Sequence, residues 1–336
     1  MTGVSEARPS VQAEVDRGVR RRAGLVIGVL SDGETSVCGR AADGGRLDGS
    51  TLFEIGSVTK TFTSLLLADG VVRGDWSLGT PVRDLLPAGV TVPAKDGVEI
   101  TLEHLATHTS GLPSAPLPIV PGTLKMLRGH DPYAGLTEDG LLRALGAAKL
   151  RRTPGSGSMH YSNLGVAVLG AALAHAVGRS YADLVVERIC DPLGLADTRV
   201  DAQLSAEQRS RLVPGHRGRG KPTAAWPLEG LPAAGALRSS TDDLLLFLTA
   251  QLHPDQSPLA KAIRLAHVRR KDPRRPIGLG WMRIDRPELM WWHNGGTGGY
   301  RSFVGFRPGR RDGVVALSNH SHGVDRLALR ALRSLD

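Results

Sequence analysis

Strand-like segments at both ends of the chain, separated by a long helical middle, are the feature that most limits what this sequence can fold into. Residues 23–41 predict a β-hairpin with its turn at Ser31–Glu34. Four further strand-like segments come late in the chain, at Gly280–Asp285, Met290–His293, Tyr300–Arg307 and Gly313–Ser318. We therefore expect both ends to share one sheet, with the helical middle as an insertion.

The helical segments set the boundaries within this plan. Predicted helices cover Val11–Arg21, Ser57–Leu67, Thr101–Thr107, Thr137–Lys149, Leu164–Val177, Tyr181–Ile189, a segment from Ser239 or Ser240 through Leu252, and Asp325–Leu335. A short strand is expected at Thr51–Ile55, and the prolines of Pro113–Pro121 predict a loop. We expect one domain over residues 1–336, in which residues 1–77 and 228–336 contain the sheet and residues 78–227 are mainly helical.

Composition narrows the class of protein. Hydrophobic side chains make up 41% of the 336 residues and charged ones 22%, which excludes a disordered tail, and no apolar run is long enough to span a membrane. The formal charge of +9 is scattered, with dense runs only at Arg20–Arg22 and Arg269–Arg275, so we expect a solvated basic surface and no nucleic-acid partner. Cys38 and Cys190 define neither a disulfide framework nor a metal spacing. The apolar residues after Arg22 fit the first hairpin better than an export signal, so a cytoplasmic location is expected.

Ser57 and Lys60 form the first candidate for chemistry. On a helix these two positions lie on one face, so the Lys60 amine is expected near the Ser57 hydroxyl. A helix N-terminus and an apolar flank would both lower the pKa of this lysine and let it accept the serine proton. The Ser57 N–H at the helix start could also bind an oxyanion. The motif alone is equally compatible with the start of an ordinary surface helix.

Tyr161 and Asn163 form the second candidate. The loop Pro154–Ser158 before them could turn the phenol into a cleft, where a nearby ammonium would hold it partly ionised as a base. Asn163 offers an amide donor and an acceptor to a substrate or to Lys60. The alternative is structural: a half-buried aromatic ring followed by a helix cap at Asn163.

The glycine-rich segment His293–Tyr300, between two predicted strands, is the third candidate. Its four glycines would let the backbone approach a ligand closely, and one N–H could complete an oxyanion hole. A plain glycine-rich hairpin connection is the structural alternative.

Taken in this order, the three motifs resemble those of the serine β-lactamase and penicillin-binding-protein superfamily, and most closely its class C β-lactamase and family VIII esterase branch. Further stretches resemble the same family, namely Thr51–Ser57, Ile100–Pro113, Pro192–Leu195 and Ala233–Leu244. The resemblance implies an α/β fold of the α+β type, in which helices flank a mainly antiparallel sheet and a helical region lies beside it. The site would lie in the cleft between these two parts.

The resemblance also implies a role for each motif. Ser57 would be the acylated nucleophile, Lys60 its proton acceptor, and Tyr161 a second base that passes a proton to the leaving group. The substrate-binding and oxyanion residues implied are Asn163, His293, Gly295 and Gly296. Of these, Gly296 would supply the second oxyanion N–H beside that of Ser57.

His293 departs from the family pattern. In β-lactamases and transpeptidases the third motif begins with Lys, whose ammonium pairs with the carboxylate of a β-lactam or of a peptide C-terminus. A histidine is mostly neutral at pH 7 and pairs only weakly with a carboxylate. Arg301 could replace that cation, although an arginine on a strand surface is the simpler interpretation. The departure favours the esterase-like members.

We therefore predict a serine hydrolase that acts on a small acyl substrate, most simply an ester, through a Ser57 acyl-enzyme. An acyltransferase that passes the acyl group to an amine or alcohol is the first alternative, and a β-lactamase or D,D-peptidase is the second. Neither a cofactor nor a metal is expected, because the pair His104 and His108 lacks the intervening glutamate of the metalloproteases. The loop Pro113–Asp131 and the segment Pro214–Leu228 are expected to shape the substrate site.

Overall fold

The computed structural model describes residues 8–116, 130–270 and 276–336. Its strands are β1 (Gly24–Ser31), β2 (Glu34–Ala41), β3 (Leu52–Glu54), β4 (Arg199–Val200), β5 (His216–Arg217), β6 (Lys221–Pro222), β7 (Leu237–Ser240), β8 (Met282–Ile284), β9 (Met290–Gly296), β10 (Arg301–Arg307) and β11 (Asp312–Ser318). Its described α-helices are α1 (Pro9–Val19), α2 (Thr59–Arg73), α3 (Leu102–Ala106), α4 (Glu138–Gly146), α5 (Asn163–Ala176), α6 (Tyr181–Val185), α7 (Asp191–Leu193), α8 (Ala206–Arg211), α9 (Pro232–Gly235), α10 (Thr241–Leu252), α11 (Ala260–Ala266) and α12 (Asp325–Arg333).

The main sheet has six strands in the order β2-β1-β11-β10-β9-β8, and all of its neighbours are antiparallel. The first hairpin turns at Asp32 and Gly33, which both have positive φ. Strand β1 also pairs with β11, with Leu25 opposite Ser318. The two ends of the chain therefore share one antiparallel sheet, which confirms the predicted fold class.

Strand β1 is buried along its whole length because both faces of the sheet are covered. Leu25 and Ile27 belong to an apolar cluster with α1 and α12, whereas Val26 and Leu30 belong to a larger cluster with α2 and α10. Each such fully buried side chain stabilises the fold by about 1.5–3 kcal/mol. This two-sided burial explains why the sequence of β1 is apolar without alternation.

Helices dominate residues 78–227, but short strands also occur there. Strand β4 joins β3 and β7 in a second, three-stranded sheet, and β5 pairs with β6. Two-residue strands carry no hydrophobic period, so sequence patterning could not identify them. No single described helix is long and apolar enough to cross a membrane; the pair Asn163–Ala176 and Tyr181–Leu193 reaches that length only across a bend of 85°.

Helix α2 is longer than predicted and ends at Gly74, which caps it in the left-handed conformation with φ of 83°. Gly70 lies inside the helix, where a β-carbon would stand 2.0 Å from the ring of Trp76, so the close packing of that ring requires glycine. Of the predicted loop Pro113–Pro121, residues 117–121 lie outside the described residues, as do residues 271–275 of the second arginine run.

Candidate active site

Ser57 lies in a single 3₁₀ turn, Gly56–Val58, between β3 and α2. The predicted helix start at Ser57 is therefore two residues early, and the α-helix begins at Thr59. Gly56 has a φ of 50°, and a β-carbon on it would lie 2.6 Å from the Gly296 nitrogen. Glycine is needed here because the serine turn is pressed against the end of β9.

Lys60 stands in the first turn of α2 and is fully buried. Its Nζ lies 3.0 Å from Ser57 Oγ and donates a 2.6 Å hydrogen bond to the carbonyl oxygen of Ala234. Burial lowers the pKa of Lys60 to about 7. A large fraction of the free amine is therefore present at neutral pH, in place to accept the Ser57 proton.

Tyr161 completes a three-residue cluster around the serine hydroxyl. Its side chain is hydrogen-bonded to that of Ser57, and Lys60 Nζ lies 5.0 Å from the centre of its ring. Burial raises the pKa of Tyr161 above its ordinary value. The phenol is therefore held neutral, not partly ionised as the sequence suggested, and its position suits a proton relay between Lys60 and a leaving group.

Two buried histidines pack beside Tyr161. The ring of His108 lies 4.5 Å from the tyrosine ring and that of His293 lies 6.3 Å from it, measured between centroids. Burial and the charge of Lys60 lower the pKa of His293 to about 3, and the pKa of His108 is lowered for the same two reasons. The structure thus supports the expectation that His293 carries no charge at pH 7.

The third motif continues β9 through Gly296, three residues beyond the predicted strand end. Gly295 pairs with Ser302 of β10 and Gly296 with Arg301. A β-carbon on Gly295 would lie 2.1 Å from the Ile55 oxygen and 2.9 Å from the Ser57 nitrogen. The ends of β9 and of the serine turn are thus in contact, as an oxyanion site built from the Ser57 and Gly296 N–H groups requires.

Asn163 is not the cap of its helix, because Ser162 takes that role and its Oγ accepts from the Gly165 N–H at 2.9 Å. The Asn163 side chain is hydrogen-bonded to that of Tyr133. It lines a cleft of about 280 Å³ that opens onto Ser57. A substrate in this cleft could reach the side chain, and its role in substrate binding stays a prediction.

Several residues of this cleft had no role in the sequence motifs. They are Tyr133, Trp226, Leu228, Leu231 and Thr297. Trp226 and Leu228 fall in the segment Pro214–Leu228, which the sequence analysis expected to shape the substrate site. Thr297 lies inside the third candidate segment, His293–Tyr300, but had been given no role there. Tyr133 and Leu231 had no local signal, because their positions depend on how distant loops pack.

Arg301 also lines the cleft, so it is not a plain surface residue of its strand. Its Nη1 donates to the carbonyl oxygens of Thr297 and Tyr300 at 2.8 and 2.7 Å. Within the described ranges it forms no ion pair, although it is only partly exposed. The charge of Asp325 acts on Arg301 from beyond ion-pair distance, so the guanidinium, fixed on backbone carbonyls, still offers a site for an anionic group of a ligand.

Comparison with known proteins agrees with this site. The family model described as Beta-lactamase matches residues 11–336, so the chain belongs to the β-lactamase family. The fold and the family together make it a serine hydrolase of the β-lactamase type, as the sequence predicted.

Three characterised relatives differ in their named activities. The D-alanyl-D-alanine-carboxypeptidase/endopeptidase AmpH of Escherichia coli (strain K12) is 30% identical over 296 residues, which cover 81% of this chain and 71% of that protein. A β-lactamase of the same strain is 28% identical over 308 residues, covering 81% and 76%. The esterase EstB of Burkholderia gladioli is 36% identical over 177 residues, covering 51% and 43%.

Solved structures confirm the fold. A β-lactamase/D-alanine carboxypeptidase from Pseudomonas syringae superposes with a TM-score of 0.83 at 22% identity, over 97% of this chain and 98% of that chain. A class C β-lactamase gives a TM-score of 0.80 at 20% identity, over 97% and 96%.

Proposed function

We propose that the protein hydrolyses a small peptide-like amide with a free carboxylate beside the scissile bond, the reaction type of a D,D-carboxypeptidase. Arg301 is the observation that carries this proposal. Among the described residues no carboxylate lies within ion-pair distance of its guanidinium, which stands in the cleft against Gly296. It therefore offers the carboxylate recognition that the neutral His293 lacks.

The Ser57 cluster supplies the chemistry of this proposal. Lys60, as the free amine, takes the Ser57 proton while the serine oxygen bonds to the substrate carbonyl carbon. The carbonyl oxygen gains negative charge and accepts from the N–H groups of Ser57 and Gly296. The carbon–nitrogen bond then breaks as Tyr161 gives its proton to the leaving amine, and the Lys60 ammonium reprotonates the phenol.

Water completes the cycle by the reverse route. Tyr161 and Lys60 take its proton as the oxygen attacks the acyl-enzyme, and the proton returns to Ser57 when the acid leaves. The short Lys60–Ser57 distance of 3.0 Å and the Tyr161–Ser57 hydrogen bond support each transfer.

The relatives support the peptide hypothesis more than the ester hypothesis that the sequence favoured. AmpH and the E. coli β-lactamase each match 81% of the chain, whereas EstB matches 51%. Ester hydrolysis remains the second candidate because EstB has the higher identity over its shorter match. Acyl transfer to an amine or alcohol and the cytoplasmic location stay predictions; cell fractionation would test the location.

One comparison of substrates tests the proposal. The purified protein is incubated with an N-acylated D-alanyl-D-alanine and with its C-terminal amide, which has the same scissile bond and no carboxylate. We expect kcat/KM to be at least about tenfold higher for the free acid, with acylation at Ser57 seen by mass spectrometry and absent in Ser57→Ala. Nitrocefin, p-nitrophenyl acetate and an added amine acceptor are run in parallel.

The outcomes separate the candidates. Turnover of p-nitrophenyl acetate without turnover of either peptide would make the protein an esterase. Amide formation with the added amine would indicate a transferase. The absence of any acylated Ser57 would overturn every acyl-enzyme hypothesis.

A further inference from the structure

A second cavity lies away from the Ser57 cleft, on the side of the molecule where α1 ends. It has a volume of about 730 Å³ and lies between the end of α1, the end of β2, the segment around β5 and the end of β11. We call it the basic cavity, because its lining includes Arg20, Arg21, Arg22, His216, Arg219 and His320. It contains the run Arg20–Arg22, which no step of the proposed function uses.

Acids compensate the four arginines of the basic cavity only in part, since Arg20 lies near enough to the Asp16 carboxyl for their charges to interact. Within the part of the chain that the structure describes, none of them forms an ion pair. The acid in the lining is Asp43, which is exposed and whose carboxylate accepts from the Gly45 N–H at 2.9 Å. Arginines elsewhere on the surface do pair: for example Arg40, Arg83 and Arg310 contact carboxylates at 2.9, 2.6 and 2.8 Å. The positive charge of the cavity is therefore only partly neutralised by the described residues.

Arg22 gives the cavity a fixed cation. The residue is only 8% exposed, and its guanidinium donates to the carbonyl oxygens of Gly18, at 2.8 Å, and of Gly323. Its Nε is buried without a hydrogen-bond partner. A buried guanidinium held only by carbonyls is stabilised when an anion approaches it.

The surrounding histidines respond to this charge. His320 is buried and its Nε2 lies 2.9 Å from the Gly218 oxygen, and both burial and the charge of Arg22 lower its pKa. The pKa of the exposed His322 is lowered by its partial burial and by Arg22 and Arg21. The charge of Arg22 therefore reaches both histidines and disfavours a proton on either of them.

Part of the remaining lining is an apolar wall, and Asp43, Asn319 and glycines complete the cavity. The wall includes Val19, Ala23, Leu47, Val213 and Pro214. A volume of about 730 Å³ is within the range of sites that hold small organic ligands and is larger than a single inorganic anion needs. The cavity thus combines guanidinium groups that can bind an anion with apolar side chains that can contact an organic group.

We propose that the basic cavity binds an organic phosphate, with the phosphate on the arginines and the organic part on the apolar wall. A guanidinium can donate two parallel hydrogen bonds to a phosphate, whereas a lysine ammonium acts as a point charge. A cavity lined by arginines is therefore better suited to phosphate than one lined by lysines. A soluble phosphate ester and the headgroup of an anionic lipid share this chemistry. The site is independent of the Ser57 chemistry and of the substrate proposed above.

Binding is tested with three probes on the full chain. Phenyl phosphate and inorganic pyrophosphate are titrated by calorimetry, and phosphatidylcholine vesicles with or without phosphatidylglycerol are tested by co-sedimentation. The variant Arg20→Gln/Arg21→Gln/Arg219→Gln removes three exposed cations and leaves the buried Arg22 in place. The control Arg40→Gln/Arg83→Gln/Arg310→Gln removes the same net charge from ion-paired positions.

We expect the cavity variant to lose at least about tenfold in affinity for the probe that binds, while the control variant keeps it. Binding of phenyl phosphate without vesicle binding identifies a soluble ester, and vesicle binding that depends on phosphatidylglycerol and on the cavity arginines identifies a headgroup. Equal losses in both variants, or no binding of any probe, would overturn the proposal. Unchanged acylation of Ser57 in both variants shows that they are folded.

Discussion

Glu54 and Arg238 form an ion pair of 3.3 Å in which the two side chains are only 2% and 1% exposed. Glu54 Oε1 also accepts from the Trp226 N–H at 2.9 Å, and the Thr297 side chain is near enough to the carboxyl to lower its pKa. Trp226 and Thr297 line the Ser57 cleft on different segments. This buried pair therefore joins two walls of the active site.

Removal of one partner should be costly. We expect Arg238→Met to lower the free energy of unfolding by about 3–5 kcal/mol, because it leaves Glu54 buried without its counterion. Burial already raises the pKa of Glu54 and Arg238 opposes the rise, so the variant's carboxyl will have a still higher pKa. A carboxyl whose pKa is raised in the folded state stabilises the fold at low pH, and this stabilisation is lost as pH rises. The deficit should therefore grow between about pH 5 and pH 8.

Urea unfolding at several pH values measures this deficit. Arg83→Met serves as the control, since Arg83 and its partner Glu99 are 61% and 35% exposed and such pairs contribute only about 0–1 kcal/mol. A loss in Arg238→Met no larger than in the control would contradict a structural role for the buried pair.

The pH dependence of acylation should report Lys60. Its pKa of about 7 predicts that kcat/KM rises with pH through neutrality as the amine loses its proton. His293, with a pKa of about 3, should not contribute. In His293→Asn, kcat/KM should therefore still rise with pH near 7. If the rise disappeared in that variant, it would be assigned to the histidine.

Lys60→Met should abolish acylation and yet stabilise the fold. Because burial lowers the pKa of Lys60 from 10.5 to about 7 in the folded state, the parent loses stability as pH falls from about 10.5 to about 7, and the variant does not. We expect a gain of about 1–3 kcal/mol near pH 6 after the lost hydrogen bonds are allowed for. The exposed Lys261→Met is the control, and an equal effect in both variants would show that burial of Lys60 is not the cause.

Gly295→Ala should damage catalysis more than stability. The added methyl would lie 2.1 Å from the Ile55 oxygen and 2.9 Å from the Ser57 nitrogen, so the strand end must move away from the serine turn. Loss of one oxyanion donor costs about 10²–10³ in kcat. Gly309→Ala, where no atom lies within 4 Å of the added carbon, is the matched control and should keep full activity.

Arg301→Gln should change selectivity and leave the acylation machinery intact. In this variant the ratio of kcat/KM for the free acid to kcat/KM for the C-terminal amide should fall by about tenfold or more. Arg301→Lys should recover part of that preference. Turnover of p-nitrophenyl acetate, which has no carboxylate, should stay within about threefold of the parent in both variants. An unchanged acid-to-amide ratio would remove Arg301 from substrate recognition.

The local parts of the site could be predicted from sequence, and the distant parts could not. Ser57 and Lys60 are three residues apart, so helix geometry alone brings their side chains within 3.0 Å. The neutrality of His293 also followed from residue type. The position of Arg301 did not, because it depends on β9 continuing through Gly296 and pairing with Arg301 across the sheet. The state of Tyr161 was missed because burial, which raises its pKa, has no signature in the motif.

The pairing of Leu25 with Ser318 has a consequence for synthesis of the chain. The serine turn leaves the ribosome long before β9 and β11, because most of the helical segments lie between them in the sequence. Until then β1, which is apolar on both faces, has only β2 as a partner within its sheet. We expect the nascent chain to be inactive and to need protection from aggregation through most of translation, because contacts this distant in sequence form late and slowly.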